Sequence, residues 1–180
     1  KSHNHTPEAK WLLAEWHFLQ HEYAKSEELI RPLIKSIYTD KPLKRHLWIL
    51  QAKLHIQAWE LEKAFRVLNR MMVDFPDDAT ANYWMGKYYL LQKKYEEALI
   101  ISHQIQLKDL EAYEGYLLEA EARLWMRQID LARVVLKQAL ERNPFSATAR
   151  FWYGYATWRE IDATKLPNMA AQWQIALELD

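Results

Sequence analysis

Two histidines stand at a spacing that can bind a metal ion. His17 and His21 are four residues apart, and on a helix this spacing places two imidazoles on one face, where both can bind the same Zn²⁺. The chain has neither a glutamate directly after His17 nor a third ligand placed to complete the HExxH pattern of zinc hydrolases. We therefore interpret the pair as two histidines on a partly exposed helix face, and the sequence predicts no metal site.

Residues for nucleophilic or phosphate chemistry are also lacking. None of the five serines stands in a G-x-S-x-G turn, and the chain has no cysteine. The three glycines are too far apart to form a phosphate-binding loop. Carboxylate pairs such as Glu27–Glu28 and Glu96–Glu97 fall on amphipathic helices, where a solvated face explains them. The sequence thus predicts that the chain is not an enzyme and binds no cofactor.

The composition argues against several other classes of protein. Half of the 180 residues are hydrophobic, which excludes a chain that is disordered throughout. Lys plus Arg and Asp plus Glu number 24 each, so the chain lacks the basic excess typical of proteins that bind nucleic-acid phosphates. No apolar run approaches the ~20 residues of a membrane-spanning helix. The chain begins without Met and stops within a helical pattern, which indicates a piece of a longer protein.

A period of 34 residues organises the sequence, and this is the length of a helix–turn–helix repeat. Small residues recur at this step in one column and alanines in a second. The two columns are Ala52, Gly86, Ala120 and Gly154, and Ala64, Ala98 and Ala132. We expect the first column to lie on the first helix of each repeat, where a small side chain lets the second helix of the same repeat approach closely. Gly86 is then a packing residue rather than a ligand-binding one.

These motifs resemble the tetratricopeptide repeat family over nearly the whole chain. The family pattern has bulky, small and aromatic residues in the first helix, followed by an alanine, a large apolar residue and a terminal proline. The stretches "WILQAKLH", "YWMGKYY", "YLLEAEAR" and "FWYGYATW" match the first helix of four repeats. Pro76 and Pro144 match the terminal proline, whereas Leu110 replaces it in the middle repeat. The first and last repeats depart most from the pattern, as end repeats often do.

The resemblance implies an all-α fold, a right-handed α-solenoid of about five antiparallel helix pairs. We expect one domain over residues 1–180, with repeats at about 7–44, 45–78, 79–112, 113–146 and 147–180. To within about two to four residues, the pattern predicts helix pairs at 8–20 and 23–36, 46–58 and 62–74, 80–92 and 95–108, 114–126 and 129–142, and 147–160 and 167–179. The stretch "YTDKP" reads as extra loop residues in the first repeat, and "DATKLP" as an insertion in the last.

In this family the first helix of each repeat lines a concave groove, so the resemblance assigns three rows of residues to it. Two rows are apolar, and the row between them is mostly charged. They are Trp11, Ile49, Tyr83, Leu117 and Phe151; Phe18, Ile56, Leu90, Leu124 and Trp158; and Glu15, Lys53, Lys87, Glu121 and Tyr155. For any single large side chain, packing between adjacent repeats is an equally good interpretation. Two apolar rows together indicate an interaction surface, whose central members should contribute most to binding.

Two special uses of such a groove are disfavoured by its residues. Family members that bind the acidic tails of cytosolic chaperones hold a carboxylate with Lys, Asn and Arg. The matching positions here are Ile49, Lys53, Trp84, Glu114 and Leu118, and four of these five cannot do so. Related repeats that bind RNA read bases with short polar side chains, and neither Ile49 nor Leu117 can stack on a base. RNA binding is therefore the lesser alternative, and no nucleic-acid partner is predicted.

The sequence predicts a non-enzymatic scaffold that binds an apolar or amphipathic segment of a partner protein in this groove, without inserting into a membrane itself. A regulatory or targeting domain of a larger enzyme is the alternative. Among scaffolds we favour bacterial envelope assembly or secretion, with the polar start as a tether and a membrane-tethered or periplasmic location. Trp173, Ile175 and Leu177 of the last helix have no following repeat to cover them. Self-association through that helix, or a continuing chain, is therefore expected.

Overall fold

The computed structural model describes residues 6–36, 40–159 and 166–179. Within these residues the chain forms ten α-helices and no β-strand. The helices are α1 (Pro7–Leu19), α2 (Tyr23–Lys35), α3 (Lys41–Gln57), α4 (Leu61–Asp74), α5 (Ala79–Leu91), α6 (Tyr95–Lys108), α7 (Tyr113–Trp125), α8 (Ile129–Arg142), α9 (Ala147–Trp158) and α10 (Leu166–Leu179). The contacts of α1 with α2, α3 with α4, α7 with α8 and α9 with α10 are those expected of helical hairpins.

The predicted helices are confirmed to within two residues at every terminus except the start of α3. The sequence predicts that start at residue 46, but the helix begins at Lys41. Asp40 caps it, because its Oδ1 accepts a hydrogen bond from the backbone N–H of Leu43 at 2.9 Å. Pro42 fits in the first turn, where its missing N–H has no helical partner. The reading of "YTDKP" as loop is thus wrong for Lys41 and Pro42.

Parts of two expected irregular stretches lie outside the described residues. These parts are residues 37–39 of the first repeat and residues 162–165 of the insertion "DATKLP". The last two letters of that insertion, Leu166 and Pro167, belong to α10.

The chain divides into two compact units, Lys1–Trp84 and Met85–Asp180, and the division falls within α5. We call them the first and the second unit. The single domain over residues 1–180 and its five repeat boundaries stay a prediction.

The core of the first unit is formed by two apolar clusters. The larger one joins the first helical hairpin to α3, and the smaller one joins α3, α4 and the start of α5. The buried members of the larger cluster are Ala14, Ile30, Leu33, Leu43, Leu47, Leu50 and Leu54, with Trp11, Phe18, Tyr23, Leu29 and Ile34 packed against them. The smaller cluster consists of Trp48, Ile49, Met71 and Ala81, with Val67, Phe75 and Trp84 beside them.

Both small-residue columns are confirmed as packing positions. Every alanine in them has no exposed surface, and Gly86 and Gly154 are buried. The expected neighbour is correct for Gly154, because a Cβ there would meet the ring of Trp173 on α10, the second helix of the same repeat. For Gly86 it is wrong: the atoms nearest to its position belong to Leu118 on α7. Gly86 thus gives room to the next repeat rather than to its own second helix.

The turns within four of the repeats share one backbone motif. Each places a non-glycine residue in the left-handed region, with φ of 60° at His21, 57° at Trp59, 59° at Lys93 and 64° at Arg127. At the third of these turns, the N–H of Lys93 donates to the carbonyl of Leu90 and the next N–H donates to the carbonyl of Tyr89. This is the Schellman pattern, which usually has glycine at the left-handed position.

The absence of glycine from these turns leads to a stability prediction. The left-handed conformation costs a residue with a Cβ roughly 1–2 kcal/mol of folding free energy. Glycine removes that strain, but it is more flexible in the unfolded chain, which lowers stability by roughly 0.5–1 kcal/mol. We therefore expect Lys93→Gly to raise the free energy of unfolding by about 0.5–1 kcal/mol, measured by urea denaturation. The adjacent Lys94 has φ of −93°, so Lys94→Gly should bring no gain. Equal effects of the two substitutions would contradict the prediction.

Candidate partner-binding site

The charged row of the predicted groove forms ion pairs within each unit. In the first unit, Nζ of Lys53 lies 2.7 Å from Oε1 of Glu15. In the second unit, Nζ of Lys87 lies 2.5 Å from Oε2 of Glu121. The members of each pair lie on the first helices of consecutive repeats. These charges therefore hold successive first helices together.

Glu121 is the most buried charged group of the predicted site. Its side chain is 1% exposed. Besides Lys87 on α5, it accepts a hydrogen bond from Nε1 of Trp152 on α9 at 3.1 Å. One carboxylate on α7 thus joins three first helices of the second unit, and it is satisfied by both of these donors, as a buried charge requires.

A second buried carboxylate on α7, Glu119, fastens this helix to α6. It accepts a hydrogen bond from Nε2 of Gln106 at 2.8 Å and pairs with Arg123 at 2.6 Å. Burial raises the pKa of Glu119, but the hydrogen bonds from Gln106 and Arg123 outweigh burial, so that its pKa is lowered overall. Glu119 is therefore ionised at neutral pH and serves packing rather than proton transfer.

Aromatic contacts hold the predicted groove residues of the first unit. The ring of Trp11 stacks on His46 with centroids 4.5 Å apart. Burial, followed by the nearby Arg45, lowers the pKa of His46, which keeps this imidazole neutral at pH 7. Nζ of Lys53 lies 5.5 Å from the ring centre of Phe18 and 5.6 Å from that of Trp84, within the range of cation–π attraction.

The second unit contains an apolar cleft of about 610 Å³. It is lined mainly by α9 and α10, with Lys87 of α5 at its side. The lining residues are Lys87, Ala147, Thr148, Phe151, Trp152, Trp173, Ala176 and Leu177. Phe151 is 48% exposed and Leu177 is 74% exposed, and Nε1 of Trp173 donates to the carbonyl of Phe151 at 3.3 Å. The cleft therefore combines an aromatic wall held by hydrogen bonds with apolar side chains that face solvent.

The predicted groove residues fall into three classes of exposure. Ile49, Leu90, Leu117, Glu121 and Leu124 are buried, with at most 7% of their surface exposed. Eight are partly buried: Trp11, Glu15, Phe18, Lys53, Ile56, Tyr83, Lys87 and Tyr155. Phe151 and Trp158 are exposed. The central members of the two apolar rows are Tyr83, Leu90, Leu117 and Leu124. Buried leucines cannot be contacted by a partner without rearrangement, so of these four only Tyr83 is accessible. Lys87 and Phe151 lie together in the cleft.

The two histidines at metal-binding spacing have other contacts. Nδ1 of His17 pairs with Oε2 of Glu22 at 2.5 Å, and Nδ1 of His21 with the hydroxyl of Tyr23 at 2.8 Å. Among the described residues, no three His, Asp or Glu side chains are grouped closely enough to hold a metal ion. None of the helices in the described ranges combines the length and apolar character that crossing a membrane requires.

Comparison with known proteins identifies the repeat. A family model described as tetratricopeptide repeat matches residues 117–164. The chain also matches the crystal structure of TTC0263, a thermophilic TPR protein of Thermus thermophilus, with a TM-score of 0.81 and 14% identity over 97% of this chain and 91% of that one. The resemblance to tetratricopeptide repeats is thus confirmed by the family model over residues 117–164 and by the shared fold. The predicted fold class, an all-α solenoid of helix pairs, is thereby confirmed.

Other solved structures share the tetratricopeptide fold at low sequence identity. PilW, described as a widely conserved type IV pilus biogenesis factor, matches with a TM-score of 0.73 and 18% identity over 97% of this chain and 79% of that one. MamA of Desulfovibrio magneticus RS-1 matches with a TM-score of 0.58 and 13% identity over 96% of this chain and 94% of that one. No curated protein matches the sequence significantly. The tetratricopeptide fold is typical of non-catalytic scaffolds for protein–protein interaction.

Several residues that line the cleft are absent from the groove predicted from the sequence. They are Ala147, Thr148, Trp152, Trp173, Ala176 and Leu177. The predicted groove contains one face of each first helix, so it includes neither Trp152 nor any residue of α10. A signal was present in Trp173 and Leu177, which the sequence identifies as apolar residues without a following repeat to cover them. Combining them with the aromatic stretch "FWYGYATW" would have placed the cleft at α9 and α10.

Proposed function

We propose that the chain is a non-enzymatic scaffold that binds an apolar or amphipathic helix of a partner protein in the cleft of its second unit. The observation that carries this proposal is the exposure of Phe151 and Leu177 beside the rings of Trp152 and Trp173. A cleft volume of about 610 Å³ falls within the range of roughly 300–1,000 Å³ for binding pockets. Helices that bind in grooves insert a few apolar anchors in this way.

The polar groups of the cleft define the orientation of the bound segment. Thr148 is exposed at the cleft, and its hydroxyl can donate or accept a hydrogen bond. The ammonium of Lys87 has three N–H donors, and its pairing with Glu121 fixes its position in the wall. A partner helix with a large apolar face and a polar flank complements this arrangement.

A role in bacterial envelope assembly or secretion is the finer part of the proposal. PilW, a type IV pilus biogenesis factor with the same fold, is an example of a tetratricopeptide protein in such a process. At 18% identity the likeness carries the fold alone, so the process rests on identifying the partner in the native cell.

Photo-crosslinking at the cleft tests the site and identifies the partner. A photoreactive phenylalanine analogue at position 148 should crosslink a protein in the native cell. The same analogue at position 145 should not, because Phe145 is exposed but does not line the cleft. Mass spectrometry then gives the crosslinked segment for synthesis as a peptide. Identical crosslinks from both positions would contradict the proposal.

The crosslinked peptide allows a matched test of the apolar anchors. Phe151→Ala and Leu177→Ala should each weaken binding by about 1–3 kcal/mol in calorimetry, since truncating an apolar anchor costs this much. The controls are Phe145→Ala and Leu107→Ala, which remove equally large side chains that are 77% and 84% exposed elsewhere. Circular dichroism checks that all four variants keep their helices. Undiminished affinity in a folded Phe151→Ala, Leu177→Ala double variant would overturn the cleft as the binding site.

A further inference from the structure

Consecutive repeats of the first unit meet through one defined interface. Leu50 and Leu54 on α3 pack into the cluster that contains Ala14 on α1 and Ile30 on α2. Trp11 and Phe18 of α1 flank the same cluster. The second repeat thus contributes one face of its first helix, α3. The first repeat contributes its second helix, α2, and the opposite face of its own first helix, α1.

The second unit repeats this interface. Leu118 on α7 contacts the position of Gly86 on α5, and a Cβ at Gly115 on α7 would meet the side chains of Gln106 and Ile105 on α6. Leu118 is fully buried. In both units, therefore, the first helix of a repeat packs against both helices of the repeat before it.

The first repeat leaves its half of this interface open. The step from the first repeat to the second is 38 residues, as from Ala14 to Ala52, so Leu12 and Trp16 are equivalent to Leu50 and Leu54. Leu50 is 0% exposed and Leu54 is 6% exposed, whereas Leu12 is 58% and Trp16 is 53% exposed. We call Leu12 and Trp16 the leading face. It has the side chains of a repeat interface, but no repeat covers it in the described residues.

The last repeat leaves the complementary half open. Phe151 and Trp158 stand 34 residues after Leu117 and Leu124. The two leucines are 3% and 7% exposed, whereas Phe151 is 48% and Trp158 is 47% exposed. We call Phe151 and Trp158 the trailing face. These two columns are thus buried on α7, in the repeat before, and exposed at α9.

We infer that the leading face of one copy stacks on the trailing face of a second copy, so that the chain associates head to tail. The two faces are the two halves of an interface that already recurs within each unit, which is why a second copy fits them. Both are apolar and rich in aromatic side chains, as interface cores are. Both faces lack the polar side chains of a repeat surface that stays in solvent. Repeated head-to-tail contacts of this kind assemble the copies into a closed ring or into an open chain.

Sedimentation velocity on the 180-residue chain tests this association. The weight-average mass should rise steadily between about 1 µM and about 1 mM protein. It should level off at the mass of a dimer only if two copies close into a ring. A leading-face variant, Leu12→Glu with Trp16→Glu, and a trailing-face variant, Trp158→Glu, should each sediment as a monomer. Phe151 belongs to both the trailing face and the cleft proposed for the partner, so a second copy and the partner compete for it. Trp158 does not line the cleft, so Trp158→Glu separates loss of association from loss of partner binding.

Mixing the two variants distinguishes head-to-tail stacking from other contacts. Each variant keeps one intact face, so an equimolar mixture should form a discrete dimer that neither variant forms alone. Matched controls are Leu107→Glu and Trp125→Glu, which alter exposed side chains outside both faces and should associate like the parent chain. If a glutamate variant loses its helical circular dichroism, a serine variant at the same positions replaces it in the test. A parent chain that stays monomeric at about 1 mM, or a mixture that forms no dimer, would overturn the inference.

Discussion

Replacing Gly86 with alanine should lower the free energy of unfolding by about 1–3 kcal/mol, although alanine favours a helix by roughly 1 kcal/mol over glycine. The added Cβ would overlap Cδ2 of Leu118 and lie 2.7 Å from its Cδ1. Leu118 is fully buried on α7, so its side chain must shift against packed neighbours. The overlap is relieved by that shift or by moving α5 away from α7, and either change costs packing. Urea denaturation followed by circular dichroism measures the loss.

Two comparisons isolate this overlap from a general effect of altering a glycine. Gly154→Ala should cost less, because its nearest neighbour is Trp173, a partly exposed side chain of α10 that can shift. Leu118→Ala alone should cost about 2–5 kcal/mol, as expected for truncating a buried leucine. In that background Gly86→Ala should become neutral or favourable, since the atoms it meets are gone. Strictly additive effects of the two substitutions would show that Gly86 and Leu118 do not oppose one another.

The helices were predictable from the sequence because one packing requirement recurs every 34 residues. Small residues such as Ala98 and Ala132 mark each crossing of two helices, so the period fixes where helices begin and end. The start of α3 was missed because "DKP" is typical of both a turn and a capped helix start. What decides between them is the bond from the Leu43 N–H to Asp40, which depends on the position of the backbone.

The candidate site was only partly predictable, for a physical reason. Leu117 and Phe151 occupy the same column, yet one is buried and the other is exposed, because a following repeat covers the first of them only. The sequence pattern gives the column but not the angle between successive repeats, which decides how much of each side chain is covered. The ion pairs had a sequence signal, since Lys53 follows Glu15 and Glu121 follows Lys87 at the repeat step with opposite charge.

Removing the charge of Lys87 should destabilise the second unit by about 3–5 kcal/mol, the cost of leaving one member of a buried ion pair uncompensated. Glu121 is 1% exposed and lies 2.5 Å from Nζ of Lys87. The variant Lys87→Met keeps the length of the side chain while removing its charge. The matched control is Lys53→Met, because Lys53 pairs with a carboxylate, Glu15, that is 27% exposed. Water can solvate that carboxylate, so the control should cost only about 1 kcal/mol.

A double variant tests whether the uncompensated charge is the cause of this loss. Glu121→Gln removes the negative charge but keeps a carbonyl oxygen that can accept the hydrogen bond from Nε1 of Trp152, which lies 3.1 Å from Glu121. Lys87→Met combined with Glu121→Gln should therefore recover most of the stability lost in Lys87→Met alone, since replacing both members of a buried pair is often close to neutral. Urea denaturation of the four proteins gives the coupling energy directly. If the double variant were as unstable as the sum of its parts, the stability of α5, α7 and α9 would depend on packing at Lys87 rather than on the charge of Glu121.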